Sequence, residues 1–150
     1  ASSSDLKAGQ AIDRVGVMLS LNFPAGPELE KLSEKSNAVF KIKPSMKNTD
    51  CSLSGVENKC KKMLSENYEK SDIARFCIDS VIAALDGMYK ALMPKYGALP
   101  VVFSGGVTSN KRIKNYFHDK YNAIFAEPAF SADNAAGTAV LSSIMYDRRK

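Results

Sequence analysis

A short apolar run, a glycine pair and a helix start follow one another closely, and together they constrain the fold more than any other stretch. The run over residues 99–103 predicts a strand covered on both faces. Gly105 and Gly106 can adopt positive φ and let another molecule approach the backbone closely. Thr108 or Ser109 can cap the following helix, whose free N–H groups favour an anion. This arrangement predicts a cradle for a nucleotide or phosphate. The alternative is an ordinary strand-to-helix turn that needs two glycines.

Helices alternating with strands after Cys51 predict an α/β fold, a small sheet of parallel strands flanked by helices. Residues 121–126 are a second apolar strand, and the lysine-rich stretch over 39–51 is predicted as a loop with one short strand at most. Two or three strands are few for a free-standing α/β domain of 150 residues. We therefore expect a single domain over 1–150 that is part of a larger fold. Its open sheet edge would favour a homodimer or pairing with an absent half.

Six helices are predicted from apolar periodicity, caps and breakers. In chain order they run from Asp5 to about Leu21, from Pro27 through Leu32, after Gly55 to about Asn67, from Ser71 to about Met93, after the glycine pair to about Asp119, and over the turn at Asp133 to near Tyr146. Ser71 is the expected N-cap of the longest helix, which Pro94 and Gly97 end. Cys77 falls on its core face, and residues 2–4 are expected to be a disordered lead-in.

One face of the first helix combines two glycines with a carboxylate. Gly9, Asp13 and Gly16 lie above one another at i, i+4 and i+7. Each interior glycine costs on the order of 1 kcal/mol relative to alanine. Either another molecule approaches closely on this side, or a neighbouring helix packs there.

Bulk properties narrow the class of protein. The net charge is +5, and no apolar run reaches the roughly 18 residues of a membrane span, so we expect no membrane partner. Three cysteines without CxxC spacing argue against a disulfide framework or zinc site and predict a reducing cytoplasm. Six lysines and the basic end 148–150 predict either a solvated basic face or contact with a nucleic-acid backbone. The lysines are Lys41, Lys43, Lys47, Lys59, Lys61 and Lys62.

Six separated motifs occur in the order found in one family. They are 8–14 (AGQAIDR, similar to AGEAFDK), 24–29 (PAGPEL, similar to PGGPxL), 52–55 (SLSG, similar to SFSG), 72–76 (DIARF, similar to DIAxSF), 105–112 (GGVTSNKR, similar to GGVxANxR) and 133–136 (DNAA, similar to TDNxAM). The chain thus resembles the C-terminal half of the TsaD family of tRNA threonylcarbamoyladenosine transferases, formerly called glycoproteases or O-sialoglycoprotein endopeptidases. The resemblance covers residues 5–140.

The resemblance implies a helix-rich partial lobe of the actin/Hsp70/sugar-kinase-like ATPase fold, holding ATP or threonylcarbamoyl-adenylate between two lobes. By motif, Asp13 would bind the ribose hydroxyls on the face with Gly9, and Gly26 would approach the nucleotide. Asn110, after Gly105 and Gly106, would contact the nucleoside or phosphates. Asp133 would be this lobe's ligand to a divalent metal, iron or zinc. Implied partners are the N-terminal lobe, other threonylcarbamoylation subunits and tRNA.

Departures from the family pattern leave alternatives open. The family's HxxxH metal ligands and its Gly-Gly-His-Thr loop are absent from this sequence, in which His118 is the only histidine. Glu57-Asn58 replaces a usual Lys-Thr, Ser131-Ala132 replaces Cys-Thr, and Ala25 replaces a glycine. The chain is therefore either the inactive isolated half of an enzyme or a divergent, non-catalytic nucleotide-binding scaffold. A sugar- or acetate-kinase lobe is a third alternative. Peptide hydrolysis is not supported, because the sequence contains no HExxH motif of a zinc protease.

Overall fold

Six helices and four short strands make up the part of the chain that the computed structural model describes, residues 1–127 and 135–147. The helices are α1 (Ala8–Met18), α2 (Gly26–Ser33), α3 (Ser54–Ser65), α4 (Lys70–Tyr96), α5 (Lys111–Tyr121) and α6 (Ala135–Asp147). The strands are β1 (Ser45–Lys47), β2 (Asp50–Ser52), β3 (Val102–Phe103) and β4 (Ile124–Phe125). The predicted order of six helices is confirmed, and the fold is a helix-rich α/β arrangement with two small sheets.

The 27-residue helix α4 is the central element, and α1, α2, α3 and α5 all pack on it. Its buried stripe includes Ile73, Cys77 and Val81, each with no exposed surface. The predicted N-cap at Ser71 is wrong, because the helix already begins at Lys70. Pro94 lies inside the last turn and does not end the helix, whereas Gly97 does so at φ +74°.

A hairpin occupies the region predicted as loop. β1 and β2 pair antiparallel, with Met46 opposite Cys51, and Asn48 in the turn has φ +57°. The N-terminal segment adds to the same sheet, since the Ser4 N–H donates to the Cys51 carbonyl at 2.8 Å and the Cys51 N–H donates to the Ser2 carbonyl at 3.0 Å. The expectation of disorder over residues 2–4 is therefore wrong.

The carboxylate of Asp5 explains why this segment is ordered. It accepts hydrogen bonds from the Ser52 hydroxyl at 2.6 Å and from the backbone N–H groups of Leu53 and Ser54 at 2.9 and 3.2 Å. These hydrogen bonds, that from Ser52 foremost, hold the pKa of Asp5 well below its usual range. Asp5 thus joins the N-terminal segment to the start of α3, a long-range contact that local propensity cannot show.

The second sheet is parallel, as predicted, but only one face is covered. Val102 pairs with Ile124 and Phe103 with Phe125. Phe103 packs against Phe117 of α5, with ring centroids 4.8 Å apart. Val102 and Ile124 point the other way and are 66% and 59% exposed. The prediction that this strand is covered on both faces is therefore wrong for the described residues. Helix α5 packs on one face of the sheet, and the side chains on the other face are exposed.

Helix α6 is unusually apolar for a helix whose described side chains are exposed. Val140, Leu141 and Met145 are each more than half exposed. Val102 and Ile124 on the open face of β3 and β4 are likewise more than half exposed. None of the described helices combines the length and hydropathy that crossing a bilayer requires.

A buried ion-pair network fixes α5 against α4. The carboxylate of Asp86 accepts hydrogen bonds from Tyr121 at 2.5 Å, Lys90 at 2.6 Å and Lys120 at 2.9 Å. Burial opposes ionisation of Asp86, but the hydrogen bonds from these three donors outweigh it and lower its pKa to about 2. Burial and the Asp86 carboxylate raise the pKa of Tyr121 to about 12.

We expect Asp86→Asn to lower the free energy of unfolding by about 1–2 kcal/mol at pH 7, because it removes the buried charge that accepts from Lys90, Lys120 and Tyr121. The folded pKa of Asp86 lies below the usual 3.8, so its contribution is present above pH 4 and is lost as pH falls towards 2. Urea unfolding at several pH values measures both effects. Asp119→Asn is the matched control, since Asp119 is 79% exposed. A destabilisation that does not shrink between pH 4 and 2 would contradict this account.

Candidate nucleoside site

Five of the six predicted nucleotide-contacting residues line one cavity of about 380 Å³, here called the Asp13 cavity. It lies between α1, the start of α2, the middle of α4 and the turn before α5. Its lining includes Gly9, Asp13, Gly26, Gly106 and Asn110. Residues that are distant in sequence therefore meet at one concave surface.

Gly105 does not line this cavity and has a conformational role. It adopts φ +107°, a value that residues with a Cβ rarely adopt, and a Cβ there would meet no atom within 4 Å. Its carbonyl accepts hydrogen bonds from the Thr108 hydroxyl at 2.8 Å and the Thr108 N–H at 3.2 Å. Gly105 thus closes the turn that places Gly106 at the cavity.

One oxygen of Asp13 is already used to position the wall of the cavity. Its Oδ1 accepts a hydrogen bond from the backbone N–H of Ala25 at 2.9 Å. Its Oδ2 makes no hydrogen bond with the described part of the chain. The Asp13 carboxylate therefore holds the 24–27 turn in place and keeps a second oxygen for a ligand.

Gly16 has a packing role, whereas Gly9 leaves open space at the cavity. Of the two explanations for the glycine face, packing therefore applies to Gly16 and room for another molecule applies to Gly9. A Cβ on Gly16 would lie 2.1 Å from the Cβ of Ala25, which is itself fully buried. A Cβ on Gly9 would make only an ordinary 3.6 Å contact with Val107. Ala25 replaces a family glycine and fits because Gly16 leaves room for its methyl group.

The cap of α5 differs from the prediction. Neither Thr108 nor Ser109 caps α5, because residues 106–109 form a 3₁₀ turn and Asn110 is the N-cap. Asn110 Oδ1 accepts from the Ile113 N–H at 3.1 Å, and the residue is 8% exposed. Its amide nitrogen makes no hydrogen bond with the described residues and is free to donate to a ligand in the cavity.

Glu30 occupies the position where the sequence predicted a bound anion. Its Oε1 accepts a hydrogen bond from the Lys111 N–H at 2.7 Å, at the N-terminus of α5. An anionic side chain of the protein therefore already interacts with the helix dipole there. Glu30 also lines the Asp13 cavity, although none of the sequence motifs singles it out. The signal was its spacing, four residues after Gly26 on the same helical face.

The polar groups of the cavity favour an uncharged, hydroxyl-rich ligand. Two carboxylates, Asp13 and Glu30, supply acceptors, the Asn110 amide supplies a donor, and Ser109 supplies a hydroxyl. No lysine or arginine of the described chain lines this cavity. The site can accept hydrogen bonds from sugar hydroxyls, whereas a phosphate would meet carboxylates.

The described residues do not fit a metal ion. No three histidine, cysteine, aspartate or glutamate side chains among residues 1–127 and 135–147 are grouped to hold one. His118 is on an exposed part of α5 beside Asp119, and Cys60 and Cys77 are fully buried. The core position predicted for Cys77 is confirmed by its lack of exposed surface, and a hydrogen bond with Cys60 and burial raise its pKa. The predicted ligand Asp133 and the basic end 148–150 lie outside the described residues.

Sequence comparison places this chain in a family of RNA-modifying transferases. The TsaD family profile, described as tRNA N6-adenosine threonylcarbamoyltransferase, matches residues 1–140, and the chain belongs to this family. A tRNA N6-adenosine threonylcarbamoyltransferase of Kosmotoga olearia is 30% identical over 97% of this chain and 46% of its own length. The enzyme of the same name from Buchnera aphidicola is 34% identical over 96% of this chain and 47% of its own length. The one from Thermococcus sibiricus is 31% identical over 73% of this chain and 34% of its own length. The chain spans about half the length of the curated relatives it matches.

The charge reversal at Glu57 does not alter the Asp13 cavity. Glu57 Oε2 lies 3.0 Å from Arg14 Nη1, an ion pair between α3 and α1, and neither residue lines the cavity. Both side chains are partly exposed, so the pair adds little to stability.

We expect Gly16→Ala to destabilise the fold by about 2–3 kcal/mol, because the new methyl overlaps that of Ala25. Thermal unfolding measures the loss, and the amide resonance of Ala25 should shift as the 24–27 turn moves away from Asp13. The matched control is Gly55→Ala in the first turn of α3, where a Cβ meets no atom within 4 Å. Equal stability of the two variants would show that the Gly16–Ala25 contact does not hold this turn.

Proposed function

We propose that this chain is the C-terminal, nucleoside-binding half of a TsaD protein that transfers a threonylcarbamoyl group from an adenylate to a tRNA adenosine. Family membership and the names of the relatives support the transfer. The Asp13 cavity supports the nucleoside-binding role, because it gathers acceptors from α1 and α2 and a donor from the cap of α5.

The ribose is the part of ATP or threonylcarbamoyl-adenylate that matches these groups best. Vicinal hydroxyls can donate to the free oxygen of Asp13 and to Glu30, and each hydrogen bond to a charged acceptor is stronger than a neutral one. The side-chain amide of Asn110 can donate to a ring nitrogen or a ribose oxygen. Gly9, Gly26 and Gly106 leave room beside them, while Ile12 and Ile78 give the base an apolar surface.

Another part of the protein would then bind the phosphates and the metal. The cavity has no basic side chain among the described residues, and Glu30 occupies the α5 N-terminus. We propose that an N-terminal lobe supplies both functions in an actin-like, two-lobed arrangement. The exposed face of Val102 and Ile124 is a surface for that lobe to cover. A homodimer through the same face is the alternative occupant.

A non-catalytic, nucleotide-binding scaffold is the alternative role, and it rests on the departures from the family motifs. Glu57 is paired with Arg14 away from the cavity, so this departure does not impair nucleoside binding. Asp13, Gly26 and Asn110 remain in place, which favours the half-site of an enzyme. We also propose that the chain contacts tRNA and other threonylcarbamoylation subunits. The six lysines between residues 41 and 62 are all exposed and so accessible to an RNA backbone.

We expect adenosine and ATP to bind this chain with similar affinity, and 2′,3′-dideoxyadenosine to bind at least about tenfold more weakly. The reason is that the cavity contacts the sugar hydroxyls and offers no cation to the phosphates. Isothermal titration calorimetry with the three compounds measures this. ATP binding far tighter than adenosine would contradict the assignment of the nucleoside end.

Asp13→Asn should weaken adenosine binding about tenfold, because it removes the charge while keeping an oxygen for the Ala25 N–H. This variant is preferable to Asp13→Ala, which would also release the 24–27 turn. Glu57→Gln is the matched control, since it removes a carboxylate outside the cavity. Unchanged affinity in a folded Asp13→Asn protein would exclude Asp13 as the ribose acceptor.

A further inference from the structure

Residues 39–43 have the side-chain alternation of a β-strand but no partner strand. Val39, Lys41 and Lys43 are exposed, whereas Phe40 and Ile42 are half-buried and pack on the core. Within the described chain, no backbone N–H or C=O of residues 39–43 makes a hydrogen bond. Unpaired groups of this kind on an exposed segment are a template for pairing with another chain.

A cleft of about 600 Å³ runs beside this segment, here called the Arg75 cleft. Its walls are the second half of α2, residues 38–42, the middle of α4 and the first turns of α5. Phe40, Ile82 and Tyr116 give it apolar surface, and Arg75 and Arg112 line it as well. Phe40 is fixed by an edge-on contact with Phe76, with centroids 5.3 Å apart. The cleft is distinct from the Asp13 cavity, and Glu30 lines both.

Two guanidinium groups in this cleft share one carboxylate. Arg112 donates to both oxygens of Asp79, at 2.5 and 3.1 Å. Arg75 Nε lies 3.5 Å from Asp79 Oδ2 but makes no hydrogen bond, although the Nε atom is buried. These three side chains carry a net charge of +1, which Lys111, Glu30 and Glu34 of the same cleft bring to a formal zero, and the buried Nε of Arg75 is left without a hydrogen bond.

We propose that residues 39–43 and the Arg75 cleft form a docking site for an extended peptide of a partner protein, with acidic and apolar residues in alternation. Side chains directly across two paired strands lie on the same face. Acidic residues of the peptide would face Lys41 and Lys43, and apolar residues would pack beside Phe40 and Ile42. Backbone hydrogen bonds supply affinity that does not depend on the side chains, as in other strand additions.

The same observations favour a peptide over a nucleic acid. A nucleic-acid backbone has no N–H and C=O groups to pair with residues 39–43. Glu30, Glu34 and Asp79 lie among the basic residues of the cleft, so it offers no continuous row of cations to a row of phosphates. A peptide of alternating character can place its carboxylates at the lysines alone.

Fluorescence anisotropy with a labelled hexapeptide of alternating glutamate and valine tests the proposal. We expect binding that weakens about tenfold in the double variant Lys41→Glu, Lys43→Glu, and that is unchanged in Lys61→Glu on α3. A lysine–valine hexapeptide should bind at least about fivefold more weakly than the glutamate–valine peptide. N-methylation of alternate peptide residues should abolish binding when it blocks the paired edge and preserve it when it blocks the other edge. Circular dichroism establishes that the variants are folded.

Three results would overturn the proposal. The first is no binding at millimolar peptide, or binding that neither pattern of N-methylation affects. The second is that a uridylate octamer binds the protein, that this binding is lost in the double variant, and that the peptide does not bind. The third is a dimer in sedimentation experiments that the double variant dissociates, which would assign the surface to a second copy. Adenosine binding to the same samples reports separately on the Asp13 cavity, so failure of one proposal leaves the other measurable.

Discussion

Burial of one long face of α4 is the constraint on which the described structure depends. Ile73, Cys77 and Val81 have no exposed surface, and four other helices pack around this helix. Because α1, α2 and α5 each pack on α4, their termini converge at its middle, where Ile78 forms part of the Asp13 cavity. The site is therefore a consequence of helix packing: Asp13 and Glu30 lie in the middle of α1 and α2, Asn110 caps α5, and the core holds these helices fixed.

Two carboxylates give the cavity its chemistry, and each has a structural partner. Asp13 accepts a hydrogen bond from the Ala25 N–H and Glu30 accepts one from the Lys111 N–H, so the proposed binding groups also position the wall of the cavity. Both carboxylates are hydrogen-bond acceptors, which is why we propose a ligand that donates from hydroxyl groups. Their acceptor character also explains the division of labour that we propose, in which phosphates and metal belong to another lobe.

Local signals in the sequence predict the helices and the parallel β3–β4 pair, whereas the expectation that Asp13, Gly26 and Asn110 contact one nucleotide comes from the family resemblance. The Asp13 prediction came from the family motif and the glycine face, both visible in the sequence. Contacts between distant residues could not be predicted this way. Three such contacts depend on the tertiary fold: Asp5 orders residues 2–4, Glu30 accepts the Lys111 N–H at the start of α5, and Ala25 fills the space above Gly16. The open face of Val102 was mispredicted because an apolar run indicates burial without showing what covers it.

Amide hydrogen exchange with and without adenosine tests the central claim most directly, namely that this half binds the nucleoside between α1 and the turn before α5. The account predicts slower exchange at Ala25, Gly26 and residues 106–113 when adenosine is bound, with no change in the β1–β2 hairpin or α3. Exchange that slows around Arg75 and residues 38–42, or nowhere despite binding, would contradict it. In that case the Asp13 cavity would be a feature of packing and not the nucleoside site.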